Sequence, residues 1–148
     1  MKHPLAWSGF LALLLATEAA RALDFVSVAT PSAILYDAPS PKAKKLYVIS
    51  RYMPLERVVK LNDWVKVRDQ SGALAWIEKR ALGDKRYVAV TVALADVRQK
   101  PDAAAPLVFR ANKQVALEWL ESTGTGWLKV RHADGATGYI KSLEVWGD

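Results

Sequence analysis

Short runs of alternating apolar and polar residues dominate the chain beyond its apolar N-terminal segment. In the clearest run, Trp64, Lys66 and Arg68 have one parity, and Val65 and Val67 have the other. Successive side chains of a strand point to opposite faces, so the valines are expected in a core and Trp64 and Lys66 on the other face. No long stretch sustains apolar residues at helical spacing. The pattern predicts an all-β protein.

The clearest run occurs twice. Residues 62–77 read NDWVKVRDQSGALAWI, and residues 126–140 read GWLKVRHADGATGYI. Trp64 recurs as Trp127 and Gly72 as Gly135, each 63 residues later. Both runs are interrupted by a glycine-containing turn, and the second has the Asp-Gly pair that suits a tight hairpin. The recurrence indicates one small unit used twice.

The remaining predicted strands are rich in β-branched and large apolar residues and are bounded by turn residues. They cover residues 25–28, 46–49, 55–61 and 74–77, and then residues 87–92, 115–120 and 143–146. A polar connector at residues 83–86 separates two predicted domains, residues 23–84 and 85–148. Units with many short strands and tight turns favour small β-barrels, because closure removes exposed sheet edges.

Residues 1–22 are predicted to be a cleaved signal peptide. Lys2 supplies the positive charge, residues 5–16 are mostly apolar, and Ala20 and Ala22 occupy the small-residue positions of a cleavage site. The apolar run is shorter than the roughly 20 residues of a membrane-spanning helix, so an N-terminal anchor is the less favoured alternative. We therefore expect a periplasmic or secreted protein that begins at Leu23, without a transmembrane segment in the mature chain.

Charge and cysteine content narrow the range of functions. The 148-residue chain has a formal net charge of +6, a pI near 9.6 and no cysteine. A basic protein suits an anionic surface such as the cell envelope or nucleic acid. Without disulfides, each small unit depends on its aromatic-rich core.

The paired motif D-W-x-K-V-x…G-x-x-x-W-I resembles the bacterial SH3-like (SH3b) domain. That family typically opens a unit with a strand and an N-V-R-x-G-P loop, and residues 35–40 and 97–102 match this stretch, each with its proline. The resemblance implies two tandem small SH3-like β-barrels with a binding role. Residues 33–37 are also similar to the A-L-Y-D-Y stretch of eukaryotic SH3 domains. Their groove proline is replaced here by Glu78 and Lys141, so recognition of PxxP ligands is not expected.

The candidate ligand site is an aromatic and basic patch. By analogy with SH3 domains, Trp64 and Trp127 would lie where the groove tryptophan is found. The patch comprises Tyr36, Trp64, Lys66, Trp127 and Lys129. The alternative is a barrel rim covered by lysine stems.

The other notable side chains have structural interpretations. Trp76 follows a small residue and is expected to pack across the barrel, and Trp119 and Trp146 are expected in the core or between the repeats. The lysine cluster at residues 42–45 is interpreted as a solvated loop.

Catalysis has little support in the sequence. After signal cleavage His132 is the only histidine, it lies in a predicted turn, and no cysteine is present as a nucleophile. Imidazole and thiolate ligands for a metal are therefore almost lacking. We expect no enzyme activity, no metal and no cofactor.

Three binding functions remain open. The first is a periplasmic module for peptidoglycan or an envelope peptide, which the resemblance implies. The second is a protein–protein adaptor or scaffold in the same compartment. The third is binding of single-stranded nucleic acid, for which basic charge and exposed aromatic residues are the usual features. Predicted export argues against the third, and no nucleic-acid partner is expected.

Overall fold

A computed structural model describes residues 23–148, and the predicted signal peptide lies outside them. This part of the chain forms two antiparallel sheets of seven strands each. It contains no α-helix, only two 3₁₀ turns at Lys79–Ala81 and Ser142–Glu144. None of its helical segments is long and apolar enough to cross a membrane. The prediction of an all-β protein is confirmed.

The first sheet uses the chain from Phe25 to Gly83. Its strands are β1 (Phe25–Val28), β2 (Ser32–Tyr36), β3 (Lys45–Ser50), β4 (Pro54–Lys60), β5 (Trp64–Arg68), β6 (Leu74–Glu78) and β7 (Leu82–Gly83). The order across the sheet is β3-β2-β6-β5-β4-β1-β7, which puts β3 at one edge and β7 at the other.

The second sheet repeats this topology. Its strands are β8 (Tyr87–Val90), β9 (Leu94–Arg98), β10 (Leu107–Asn112), β11 (Ala116–Ser122), β12 (Trp127–Arg131), β13 (Thr137–Lys141) and β14 (Val145–Trp146). The order is β10-β9-β13-β12-β11-β8-β14. The strands predicted from the pattern do not include β2, β7, β9 or β10. The last strand starts later than predicted because a 3₁₀ turn precedes it.

The two sheets differ by one residue in the loop that precedes the recurring tryptophan. Tyr52 and Gln114, 62 residues apart, are the two non-glycine residues of the described part with positive φ, 71° in both. At Trp64 and Trp127 the offset has become 63. The extra residue therefore lies in the Gly-Thr-Gly loop before Trp127. The order of the strands is otherwise the same in both repeats.

Strand parity places the core as predicted. In β5, Val65 and Val67 are 3% and 1% exposed, while Trp64 and Lys66 are half-buried. In β12, Leu128 and Val130 are fully buried in the same pattern. Each sheet has its own cluster of buried apolar residues.

Trp76 departs from its prediction. It lies on the outer face of β6, half-buried, while its neighbours Ala75 and Ile77 are buried. Its ring lies beneath Lys66, with the ammonium nitrogen 5.9 Å from the ring centre. The prediction that Trp76 packs across the barrel is wrong, because the register with β5 pairs Trp76 with the outward residue Lys66.

Aromatic side chains join the two sheets. Phe25 of β1 packs edge to face on Trp146 of β14, and Tyr52 stacks on Tyr87 with ring centroids 4.6 Å apart. The Arg86 guanidinium lies over Phe25 at 5.7 Å and over Trp119 at 5.0 Å. Cation–π contacts of this kind add to the apolar burial. Trp146 therefore packs between the repeats, as the sequence predicts.

Candidate functional site

The end of β2 and the start of β5 bring two of the predicted site residues together. The rings of Tyr36 and Trp64 meet edge to face, with centroids 5.3 Å apart and planes at 87°. β6 lies between their strands, and its Trp76 and Glu78 pair with Tyr36 and Trp64 in the two ladders. Tyr36 is 6% exposed, whereas Trp64 is half-buried with part of its indole open to solvent. The buried tyrosine therefore supports an accessible tryptophan.

Two open depressions flank this aromatic pair. The one beside Trp64 has a volume of about 740 Å³ and is lined by Pro41, Asn62, Asp63, Trp64, Glu78, Lys79 and Arg80. The one beside Tyr36 has a volume of about 540 Å³ and includes Ser32, Ile34 and Ala81. Glu78 and Arg80 line both depressions and form an ion pair. The two depressions thus share one charged wall.

The chemistry of this surface suits binding. An indole face, an amide, two carboxylates and two cations surround the first depression. Such a set can stack on a ligand and exchange hydrogen bonds with its amide or hydroxyl groups. Within residues 23–148 there is no group of three or more side chains suited to hold a metal ion.

Lys66 lies apart from the Tyr36–Trp64 pair. It shares the outer face of β5 with Trp64, but its ammonium group lies over Trp76, and it lines neither depression. The structure therefore brings Tyr36 and Trp64 into contact, whereas the ammonium group of Lys66 contacts Trp76.

The second sheet lacks the aromatic pair. Arg98 pairs with Tyr139 across β9 and β13, as Tyr36 pairs with Trp76 in the first sheet. Its guanidinium donates to the carbonyl oxygen of Ala105 and to Asp96, both at 2.8 Å. A cation held by two acceptors thus occupies the position of the tyrosine.

Trp127 and Lys129 lie on the outer face of β12, and both are half-buried. Trp127 is covered by Lys141, whose ammonium nitrogen is 6.0 Å from the ring centre. The equivalent face of the second sheet is therefore a lysine-covered tryptophan without an aromatic partner.

Sequence reasoning misses most of the residues around Trp64. It does not single out Asn62 or Arg80, and it includes Asp63 only as the first residue of the D-W motif. It treats Glu78 only as a departure from the eukaryotic groove. The sequence feature that could identify Asn62 and Asp63 is their position directly before the tryptophan. Pro41 comes from the loop between β2 and β3, and only the folded chain brings it there.

Comparison with known proteins identifies both repeats. The family profile of the bacterial SH3 domain matches residues 29–84 and residues 91–147. The chain belongs to the bacterial SH3 domain family. The resemblance noted in the sequence is thereby confirmed, and the two sheets are two bacterial SH3 domains in tandem. A comparison with curated proteins finds no match.

Several solved structures align with most of this chain at low sequence identity. NlpC2 from Trichomonas vaginalis has 16% identity and a TM-score of 0.40, covering 86% of this chain and 49% of that one. NlpC1 from the same organism has 18% identity and a TM-score of 0.40, covering 95% and 51%. An NlpC/P60 family protein from Bacillus cereus has 15% identity and a TM-score of 0.39, covering 82% and 55%. The chain spans about half the length of these structures.

Proposed function

We propose that this protein is a non-catalytic binding module of the bacterial cell envelope that recognises peptidoglycan or an envelope peptide. The observation that carries the proposal is the half-open Trp64 indole, held by Tyr36 between two depressions with mixed charge. Membership of the bacterial SH3 domain family supports a binding role.

The ligand site is assigned to the first domain. Within residues 23–148 an aromatic ring supports the recurring tryptophan only in that domain, because Arg98 replaces the tyrosine in the second domain. Stacking of a ligand on an indole requires a rigid, accessible ring face, and Lys141 covers the ring of Trp127. In this proposal Trp127, Lys66 and Lys129 contribute little to binding.

Export and barrel closure complete the proposal. A peptidoglycan ligand requires a location outside the cytoplasm, and residues 1–22 have the features of a cleaved signal peptide. We also infer that each sheet curls around its own buried cluster into an SH3-like barrel. Each cluster draws residues from both ends and the middle of its sheet, including Val28, Leu35 and Val67 in the first.

Sedimentation with purified cell-wall sacculi tests the function. Trp64→Ala should reduce the bound fraction strongly, equivalent to at least about a tenfold loss of affinity for a lost central aromatic contact. Trp127→Ala is the matched control in the second domain and should bind like the unaltered protein. Thermal melting of both variants separates loss of binding from loss of folding.

The same experiment distinguishes the alternatives. Equal loss in both variants would contradict the assignment to the first domain. If the unaltered protein does not sediment, peptidoglycan is not the ligand, and the adaptor function is left. If the protein does sediment, soluble peptide fragments released from the sacculi show, as competitors, whether it binds the peptide or the glycan.

A further inference from the structure

β3 is an edge strand with exposed apolar side chains. Val48 is 66% exposed in the regular part of the strand, and Leu46 is 41% exposed at the register shift near its beginning. The other face of β3 is packed, since Tyr47 and Ile49 contact the core of the first domain. Exposed apolar edge strands are the usual templates for pairing with another chain.

The backbone of β3 offers free hydrogen-bonding groups at Val48. The N–H of Arg51 donates to the carbonyl of Pro31 at 3.2 Å, which makes this a hydrogen-bonded position of the β2–β3 ladder. Hydrogen-bonded positions alternate along an antiparallel pair. The register is regular from Arg51 back to Val48. Ile49 is thus the next hydrogen-bonded position, with its N–H and C=O directed toward β2, and Val48 is not a hydrogen-bonded position. The N–H and C=O of Val48 therefore point away from the sheet.

The equivalent edge of the second domain is protected. Arg110 of β10 occupies the place of Val48, one repeat later, and its guanidinium donates to Asp96 at 2.9 Å. Charged side chains on an edge strand discourage pairing with a further strand. The first domain has an apolar residue where the second has this ion pair.

A cleft runs beside this edge and is walled by both domains. It has a volume of about 410 Å³, with β3 on one side and Lys113, Gln114 and Trp146 of the second domain on the other. Gln70 also lines it, and within residues 23–148 its buried Oε1 accepts no hydrogen bond. An added strand would therefore lie between β3 and the second domain.

Positive charge surrounds the edge. Lys44 and Lys45 lie at the beginning of β3, Arg51 follows its end, and Lys113 lines the cleft. Among the lining residues the one carboxylate is Asp69, which is already a hydrogen-bond acceptor for Tyr47 and Ser71. A second carboxylate, Asp37, lies beside Lys44. The four cations outnumber the two carboxylates, so the net charge around the edge is positive.

We propose that the β3 edge is a strand-addition site for an extended, acidic segment of a partner protein. Main-chain hydrogen bonds at Val48 supply the pairing, as in other cases where a peptide extends a sheet. Acidic side chains of the segment face the cationic side chains at the two ends of the strand. The site is separate from the Tyr36–Trp64 surface, so it goes beyond the binding function proposed above.

A second copy of this chain is a poorer occupant. Antiparallel pairing of two β3 strands about Val48 would place Lys45 of one copy opposite Arg51 of the other. Like charges directly opposite in a ladder are destabilising. The charge pattern therefore favours an acidic partner over self-association.

Two labelled heptapeptides test the proposal with the unaltered protein. One alternates valine with glutamate, and the other alternates valine with lysine. The acidic peptide should bind and should slow hydrogen exchange at the Val48 amide, while the basic peptide should bind at least about tenfold more weakly. Methylation of alternate backbone nitrogens of the acidic peptide, on the edge that faces β3, should abolish binding without a change of charge.

Matched proline variants localise the contact. Val48→Pro removes a backbone N–H that points to solvent, which an edge strand tolerates, and should abolish binding of the acidic peptide. Arg110→Pro makes the same change at the equivalent edge of the second domain and should leave binding unchanged. Melting curves check the folding of both variants.

Four results would overturn the proposal. The first two are equal binding of the acidic and basic peptides and full binding of the methylated peptide. The third is that the peptide protects the Trp64 amide from exchange and not the Val48 amide. The fourth is that the protein self-associates in analytical sedimentation and that Val48→Pro abolishes this self-association. Trp64→Ala should not affect the acidic peptide, which keeps this test independent of the sacculus experiment.

Discussion

Phe25 and Trp146 pack edge to face with ring centroids 5.0 Å apart, and they join the first strand of one domain to the last strand of the other. Phe25 is 6% exposed although it belongs to neither core cluster. The contact therefore belongs to the boundary between the domains, where Arg86 covers the same phenyl ring. Aromatic pairs of this geometry stabilise beyond the area that they bury.

Removal of the Phe25 ring should destabilise the whole protein. We expect Phe25→Ala to lower the free energy of unfolding by about 3 kcal/mol, at the lower end for a buried phenylalanine. Leu143→Ala is the control, because Leu143 is 93% exposed and should change stability by less than about 0.5 kcal/mol. Urea unfolding followed by tryptophan fluorescence measures both. Similar values for the two variants would contradict the role of Phe25.

Core and surface positions of β5 should respond differently to truncation. Val67→Ala should cost about 2 kcal/mol, because two methyl groups leave a fully enclosed site. Trp64→Ala should cost clearly less than the roughly 3–5 kcal/mol of a fully buried aromatic residue, since Trp64 is half-buried. The pair Val130→Ala and Trp127→Ala repeats the comparison in the second domain. If the tryptophan variants melt as early as the valine variants, the rings belong to the core.

Gly138 should not tolerate a side chain. A Cβ atom there would lie 2.6 Å from the Val97 side chain and 2.8 Å from the carbonyl oxygen of Arg98. Backbone cannot move aside as a flexible side chain can, so Gly138→Ala should cost about 1–3 kcal/mol. Thr137→Ala, at the exposed neighbouring position, is the control. A melting temperature for Gly138→Ala equal to that of the control would show that β9 and β13 lie farther apart than described.

The Tyr47–Asp69 hydrogen bond should make the free energy of unfolding depend on pH in the acidic range. Burial alone would raise the pKa of Asp69, but hydrogen bonds from Ser71, Tyr47 and the Ala73 amide outweigh it and leave the pKa below its ordinary value. A lowered pKa in the folded state stabilises the protein above the unfolded pKa of about 3.9, and this contribution is lost as the pH falls through the folded pKa.

Unfolding of Asp69→Asn between neutral pH and pH 2 measures this contribution. The unaltered protein should be more stable than the variant at neutral pH, and the difference should shrink below about pH 4. Tyr47→Phe removes one hydrogen bond to Asp69, so the stabilisation by Asp69 should be lost at a higher pH than in the unaltered protein. A difference that stays constant across the range would show that Asp69 is not stabilised by these donors.

The protein is predicted to be exported and cut after Ala22. N-terminal sequencing of the protein from a periplasmic or extracellular fraction should begin at Leu23, because Ala20 and Ala22 occupy the small-residue positions before the cut. Substitution of Ala22 by a bulky residue should block the cut, and substitution of Thr17 in the preceding segment serves as the control. Soluble cytosolic protein with an intact Met1 would contradict export.

Local pattern is enough for most of the strands and for the repeat. The parity of β5 and β12 follows from alternation alone, because neighbouring side chains of any strand face opposite sides. The recurrence of Trp64 as Trp127 likewise indicates two similar units from the order of residues alone. The pattern misses β10 because its run Leu107–Asn112 does not alternate cleanly between apolar and polar residues.

The contacts that give each domain its individual character required the tertiary structure. Tyr36 meets Trp64 because β6 pairs with both of their strands, and this register depends on the whole sheet. The sequence already aligns Arg98 with Tyr36, but only the structure shows that its guanidinium is held by Ala105 and Asp96. The packing of Phe25 on Trp146 joins residues from opposite ends of the described chain. Alternation is a property of neighbouring residues, so the sequence alone determined most of the strands. Strand register and packing between the domains depend on residues far apart in sequence, so only the tertiary structure decided which strands share a site.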